Sequence, residues 1–234
     1  MIDFHSHILP GIDDGSPDVE ESLKLLEELK KQRVKTVVAS SHYYITERSL
    51  HRFLEKRAKA YEQLKERLPQ DSPEILLGAE VLYFRGISRM ESLRSLCVEG
   101  TNLLLLEMPF GSWSDYMVRE VTDLAHTGTV TIMLAHIERY LTRQNAKVWD
   151  QFLADGIVMQ SNADFFLPFL SRRKALRMLE DGRIHVLGSD CHNMKSRPPR
   201  MAEASWMIRD HLGKQALRAM EEFGEDLLYE TRLN

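Results

Sequence analysis

Short apolar runs alternate with longer amphipathic stretches along the whole chain. The runs are Met1–Phe4, Val34–Ala39, Ile75–Ala79, Leu103–Leu106, Thr131–Ala135, Ile157–Gln160 and Ile184–Gly188. Their length and sparse polar alternation suit strands covered on both faces, as in a parallel sheet. Between them the spacing predicts helices over Leu50–Leu68, Tyr116–His126, Ala146–Ala154, Arg172–Glu180 and Met201–Phe223. A further helix follows Ser16-Pro17, where Ser16 offers an N-cap, Pro17 the first helical position, and Asp18, Glu20 and Glu21 an acidic first turn. Leu23, Leu26 and Leu29 would form its buried face, and Gly156 and Gly182 fall where C-terminal stops belong. Strand alternating with helix implies βα units and a parallel sheet, doubly wound or closed into a barrel. No repeat or Gly/Pro-rich linker divides residues 1–234, so one domain is expected.

The strand ends carry the chemistry. His5-Ser6-His7 follows the first run and Ser40-Ser41-His42 the second, while Glu80, Glu107 and His136 each follow one of the next three. The last run leads into Ser189-Asp190-Cys191-His192. In a parallel barrel these ends share one face, the face on which active sites are built. Five of the nine histidines belong to this set, whereas His51, His126, His185 and His211 fall elsewhere and read as structural or solvated. Imidazoles combined with carboxylates are the donors that Zn, Mn or Fe take. Buried together, Glu80, Glu107 and Asp190 would need cations to offset their desolvation. A polynuclear metal site follows.

Composition narrows the classes. Hydrophobic content of 43% and charged content of 28% describe an ordinary globular chain. With 31 Lys+Arg against 35 Asp+Glu, the formal charge of -4 argues against a general nucleic-acid binder. Two cysteines, Cys97 and Cys191, exclude a disulfide framework and fit a reducing compartment. No apolar run approaches the ~20 residues of a membrane span, and Met-Ile-Asp-Phe-His lacks the regions of a signal peptide. The expectation is a cytoplasmic protein without membrane insertion. Cys191 to Arg197 spells C-x5-R, the spacing of cysteine-dependent phosphatases, yet the intervening His-Asn-Met-Lys-Ser has none of the glycines that let such a loop wrap phosphate.

The ordered set His5-x-His7, His42, Glu80, Glu107, His136 and Asp190-x-His192 resembles the PHP superfamily, named for polymerase and histidinol phosphatase. Within it, His5-Ser6-His7-Ile8-Leu9-Pro10, Asp13-Asp14-Gly15, Gly78-Ala79-Glu80, His136-Ile137-Glu138-Arg139-Tyr140 and Gly188-Ser189-Asp190 with Arg197-Pro198 resemble the bacterial tyrosine phosphatases of capsule and exopolysaccharide production. That resemblance implies a distorted seven-stranded (β/α) barrel with three divalent metals, usually Mn, with Fe or Zn as alternatives. Carried over by position, one metal would take His5, His7, Glu80 and Asp190. A second would take Glu80, Glu107 and His136, and a third Asp14, His42 and His192. Ser41 and Ile137 stand where the family often has proline, and Cys191 where it often has a small residue.

The implied chemistry is phosphotyrosine hydrolysis by a metal-bridging hydroxide, with Arg139 and Arg197 gripping the phosphoryl group. The implied partner is a phosphotyrosine protein, the tail of a bacterial tyrosine kinase that controls polysaccharide export. Tyr43, Tyr44, Phe84, Phe110 and Trp113 also follow strand ends, either lining a groove for a phenyl ring or packing the loops. The same metal core would serve a histidinol phosphatase, another small-molecule phosphatase or a PHP-type nuclease. The acidic charge disfavours the nuclease.

Overall fold

The structure, a computed structural model, describes residues 1–233. Among them nine strands form: β1 Ile2–Ser6, β2 Thr36–Ala39, β3 His42–Tyr43, β4 Glu74–Leu77, β5 Glu80–Leu82, β6 Leu103–Glu107, β7 Thr131–Leu134, β8 Val158–Asn162 and β9 Val186–Gly188. The helices are α1 Val19–Lys31, α2 Leu50–Lys65, α3 Asp115–His126, α4 Ala146–Ala154, α5 Phe169–Glu180, α6 Met201–Leu212 and α7 Lys214–Glu230. Among the described residues no helix is long and apolar enough to cross a membrane.

Every strand pairing is parallel, in the orders β1-β2-β4 and β3-β5-β6-β7-β8-β9. The two sheets are stretches of one curled wall. Ser40 N–H donates to Ser6 O at 2.9 Å, Gly78 N–H to Ala39 O at 3.0 Å and Glu80 N–H to Ser40 O at 3.0 Å, which carries the pairing from one sheet into the other. At the far end β9 meets β1, with Asp190 N–H donating to His5 O at 2.7 Å and His7 N–H to Cys191 O at 3.0 Å.

The expected count of seven strands is not the one observed. The runs at Val34–Ala39 and Ile75–Ala79 break and resume, giving β2 then β3 and β4 then β5. At the first break Ser40 Oγ accepts from Ser6 N–H at 3.0 Å, a side-chain bond where a ladder bond would otherwise run. At the second, Gly78 passes so near β2 that a Cβ there would stand 3.3 Å from Val38 Cγ1.

Period-two alternation decides what each face buries. Leu103 and Leu105 join Phe4, Val38, Met133 and Val186 in one cluster, while Leu104 and Leu106 join Ile132 and Leu134 in the larger core beneath the helices. Several helix expectations shift. Asp18, not Ser16, caps α1, accepting from Glu21 N–H at 2.9 Å, because Ser16 is buried and its Oγ donates to Asp18 O. The buried face of α1 is Ser22, Leu25, Leu26 and Leu29, with Leu23 only half-buried. The predicted Arg172–Glu180 helix begins earlier, at Phe169, following Pro168. The single helix predicted over Met201–Phe223 is two, because Gly213 at φ 90° breaks it between α6 and α7.

Candidate metal centre

The donors arrive from separate elements at one end of the wall. His5 lies inside β1 and His7 just beyond it; His42 opens β3, Glu80 opens β5, and Glu107 closes β6. His136 follows β7 and Asp190 and His192 follow β9, while Asp14 comes from the loop after β1. His5, His7, Glu80, Glu107, His136, Asp190 and His192 are buried, His42 is half-buried and Asp14 is exposed. His136 at φ 33° and Asp190 at φ 50° sit in the left-handed region, a conformation uncommon for non-glycine residues and concentrated at functional sites.

Four atoms surround the first candidate position. His5 Nε2 lies 3.1 Å from His7 Nε2, 3.2 Å from Glu80 Oε2 and 3.6 Å from Asp190 Oδ1. His7 Nε2 lies 3.3 Å from Glu80 Oε2 and 3.4 Å from Asp190 Oδ1. Donors about 3.0–3.4 Å apart are what a tetrahedral or octahedral ion with bonds of about 2.1 Å gathers. The other Glu80 oxygen, Oε1, lies 2.8 Å from His136 Nε2, which is 3.4 Å from Glu107 Oε1. Asp14 Oδ1 stands 3.4 Å from both His42 Nε2 and His192 Nε2, and His7, Asp14, His42 and His192 offer donor atoms within 4.8 Å of one another.

Two observations test whether these residues fit divalent metals. The first is Glu80 Oε2, fully buried and 2.9 Å from His42 Nδ1, with neither atom in a hydrogen bond. A buried carboxylate oxygen facing several imidazole nitrogens without a shared proton is a costly arrangement that a cation satisfies. The second is the orientation of the imidazoles. His5 Nδ1 contacts Gln160 Oε1 at 3.2 Å, His7 Nδ1 contacts Asp13 Oδ2 at 2.9 Å, and His192 Nδ1 contacts the Asp190 carbonyl at 2.9 Å. Each acceptor holds a proton on Nδ1 and leaves the Nε2 lone pair aimed inward, as in metal-binding histidines. The donor set fits.

Electrostatics agree. Burial alone would raise Glu80 and Asp190, but His5 beside both, with His136 and His42 beside Glu80 and His7 beside Asp190, holds them well below the usual carboxylate range. Burial pushes His136 down, yet Glu107 and Glu80 outweigh it and bring it up to about 9. The pocket therefore favours positive charge. His192 differs: burial, His7 and Arg197 push it down to about 4, so it stays a neutral imidazole.

Both predicted arginines reach this pocket. Arg139, in the turn Ile137–Arg139, donates through Nη2 to Asp190 Oδ2, and Arg197 Nη2 lies 2.7 Å from the same oxygen. Arg197 Nη1 also donates to His192 Nε2 at 2.7 Å. Of the aromatic candidates, Phe110 is exposed and stacks on His136 at 6.2 Å with Arg139 over its ring, and Tyr44 stacks on His42 at 5.1 Å. Tyr43 and Trp113 do not line the mouth; Tyr43 packs on Phe53, and Trp113 on Tyr140, Trp149 and Phe152. Phe84 packs against the core. The Cys191 thiol is buried, and burial together with nearby Asp3 pushes it up to about 12, so no thiolate is present to attack.

Sequence reasoning missed the residues that aim the donors. Asp13 orients His7 and accepts the His42 N–H at 2.9 Å. Gln160 Oε1 accepts the His136 N–H at 2.7 Å besides touching His5, and Asn162 Nδ2 donates to Asp190 Oδ2 at 2.8 Å. Gln160 ends the one apolar run with no His or acid after it. A polar residue closing that run was the available signal.

The fold and site define a protein with a curled parallel α/β sheet that gathers imidazole and carboxylate donors at its strand ends. More narrowly, residues 1–223 match the family model described as capsular polysaccharide synthesis, CpsB/CapC, and the chain belongs to that family. The tyrosine-protein phosphatase CpsB of Streptococcus agalactiae serotype III (strain NEM316) is 31% identical, across 97% of this chain and 96% of its own length. A chain from the crystal structures of YwqE from Bacillus subtilis and CpsB from Streptococcus pneumoniae, described as unique metal-dependent tyrosine phosphatases, superposes with a TM-score of 0.85 at 24% identity, covering 100% of this chain and 96% of that one. Histidinol phosphate phosphatase from Lactococcus lactis shares the fold more distantly, with a TM-score of 0.57 at 12% identity over 89% of this chain and 92% of that one.

Proposed function

We propose that the protein is a metal-dependent protein-tyrosine phosphatase acting in the cytoplasm as one domain over residues 1–234. Its barrel has seven strand equivalents, with β2 and β3, and likewise β4 and β5, as the two halves of bent strands. The observation that carries the reading is Glu80, a buried carboxylate with one oxygen facing His5 and His7 and the other facing His136. Three divalent ions, Mn in preference to Fe or Zn, would be held by His5, His7, Glu80 and Asp190, by Glu80, Glu107 and His136, and by Asp14, His42 and His192. When bound, they would polarise the phosphoryl oxygens and make water a competent nucleophile at neutral pH.

The chain's own groups do the rest. Asp13 and Gln160 hold His7 and His5 in one tautomer, so the pocket needs little reorganisation on loading. Arg139 and Arg197 release Asp190 Oδ2, and Arg197 also releases His192 Nε2 for its metal, to grip the phosphoryl group, where their planar forks match its equatorial oxygens. Phe110 and Tyr44, standing at the mouth, take the phenyl ring. A phosphotyrosine on a flexible tail reaches this opening, and the tail of a bacterial tyrosine kinase is the proposed substrate.

Turnover of a phosphotyrosyl peptide, histidinol phosphate and single-stranded DNA, side by side, tests the reading. The peptide is expected to be preferred. Arg139→Ala and Arg197→Ala are each expected to lower kcat/KM for it by about 10²-fold or more while metal content stays unchanged. Preference for histidinol phosphate would overturn the substrate class, and wild-type rates in both variants would overturn the arginine roles.

A further inference from the structure

The loop leaving β8 ends in an exposed apolar tip. Phe169 and Leu170, which open α5, are 84% and 91% exposed, the most exposed large apolar side chains among the described residues. The preceding turn Ala163–Phe166 buries Ala163 and Phe166, so the chain dips into the core before emerging at Pro168. Four residues on, Arg173 and Lys174 occupy the same face of α5 as Phe169 and Leu170. Both are exposed and neither enters an ion pair among the described residues. No acidic residue occurs between Leu167 and Arg177. Further along, α5 is held down by buried Ala175, on the opposite face, and by buried Leu176, two turns beyond Phe169. The tip is an amphipathic, cationic surface that nothing covers among the described residues.

Its position is fixed relative to the metal centre. Asn162, the last residue of β8, donates to Asp190 Oδ2, and Asp164 pairs with Arg200 at 3.4 Å, tying the tip's base to the loop after β9. The tip therefore rises from the same end of the wall as the donor set. Two large side chains standing free of any groove need a counterpart that is deformable or concave, and Arg173 and Lys174 require it to be anionic. A bilayer interface with acidic headgroups meets both conditions.

We propose that this tip docks the protein on an anionic lipid surface without spanning it. Phe169 and Leu170 enter the headgroup and acyl boundary, and Arg173 and Lys174 meet lipid phosphates. Docked so, the mouth of the metal centre lies close to the membrane, where a tail emerging from a membrane-bound protein is within reach.

The metal-loaded full chain would be sedimented with vesicles of phosphatidylcholine alone and with about 30% phosphatidylglycerol; binding to the anionic vesicles is expected to be at least about tenfold tighter and to weaken with salt. The double substitutions Phe169→Ser with Leu170→Ser and Arg173→Glu with Lys174→Glu are each expected to lower vesicle binding about tenfold, with turnover of a soluble phosphotyrosyl peptide unchanged. Equal binding to neutral vesicles, or wild-type binding by both variants, overturns the proposal. Self-association that the Phe169 and Leu170 substitutions abolish, without vesicle binding, would assign the tip to a second copy of the chain and overturn it equally. Tip-dependent binding of an acidic peptide in place of vesicles would also overturn it, in favour of a protein partner.

Discussion

At the scale of single residues, the metal centre depends on side chains that are absent as much as on those present. A Cβ at Gly188 would stand 2.4 Å from His5 Cβ, and one at Gly15 would stand 2.4 Å from both His7 Cβ and the His7 carbonyl. Neither contact can be relieved by a flexible side chain, so His5 or His7 would have to shift. Gly188→Ala is expected to cost about 1–3 kcal/mol of stability and to reduce metal content, measured by urea unfolding and elemental analysis; a variant that folds and loads as wild type would refute this. Cys191 gives the converse expectation. With its thiol buried and shifted up to about 12, Cys191→Ser should keep nearly full turnover and iodoacetamide should leave the wild type active, whereas loss of several orders of magnitude would restore the thiol route. The sequence made the donors legible because His, Glu and Asp are conspicuous after apolar runs. It hid Asp13 and Gln160 as orienting groups, since a carboxylate in a loop or an amide ending a strand has many ordinary uses and only the fold shows the imidazole it faces.

At the scale of elements, strand positions were legible because buried parallel strands announce themselves as continuous apolar runs. The kinks between β2 and β3 and between β4 and β5 were not. They arise from long-range bonds such as Ser6 N–H to Ser40 Oγ and from the close approach of Gly78 to Val38, neither of which leaves a local pattern. Helix ends failed for a similar reason: Ser16 has good capping chemistry but is drawn inward to Ser22, leaving Asp18 to cap. The segment after β5 was also unforeseen, and it is held by one buried acid. Glu120 of α3 accepts from Tyr83 Oη at 2.6 Å, Gly86 N–H at 2.9 Å and Ser88 Oγ at 3.0 Å. Glu120→Ala leaves three donors without their partner, and an unfolding free energy lower by about 1–3 kcal/mol is expected, with metal content unaltered. An unchanged denaturation midpoint would show that water replaces the carboxylate without penalty.

At the scale of the whole molecule, the candidate ligands join parts of the chain that lie far apart in sequence. His5 and His7 belong to the start of the chain, Asp190 and His192 to its last strand end, and Glu80 to the middle. An ion shared by these groups binds the folded protein and not the unfolded chain, so loading adds to stability by linkage, about 2.7 kcal/mol when the free metal is a hundredfold above its dissociation constant. For a chain of this size that corresponds to a rise in Tm of about 5–10 °C. Chelation is therefore expected to abolish turnover and lower Tm together, and Mn²⁺ to restore both better than Mg²⁺, whose preference for octahedral oxygen donors suits imidazoles poorly. Glu80→Gln separates this linkage from a general effect of the chelator. With one oxygen replaced by an amide nitrogen it cannot serve both sets of histidines, so its Tm should respond little to chelator or to Mn²⁺. If chelated wild type keeps full turnover, or if Glu80→Gln gains as much Tm from Mn²⁺ as the wild type does, the site is not where the metals act.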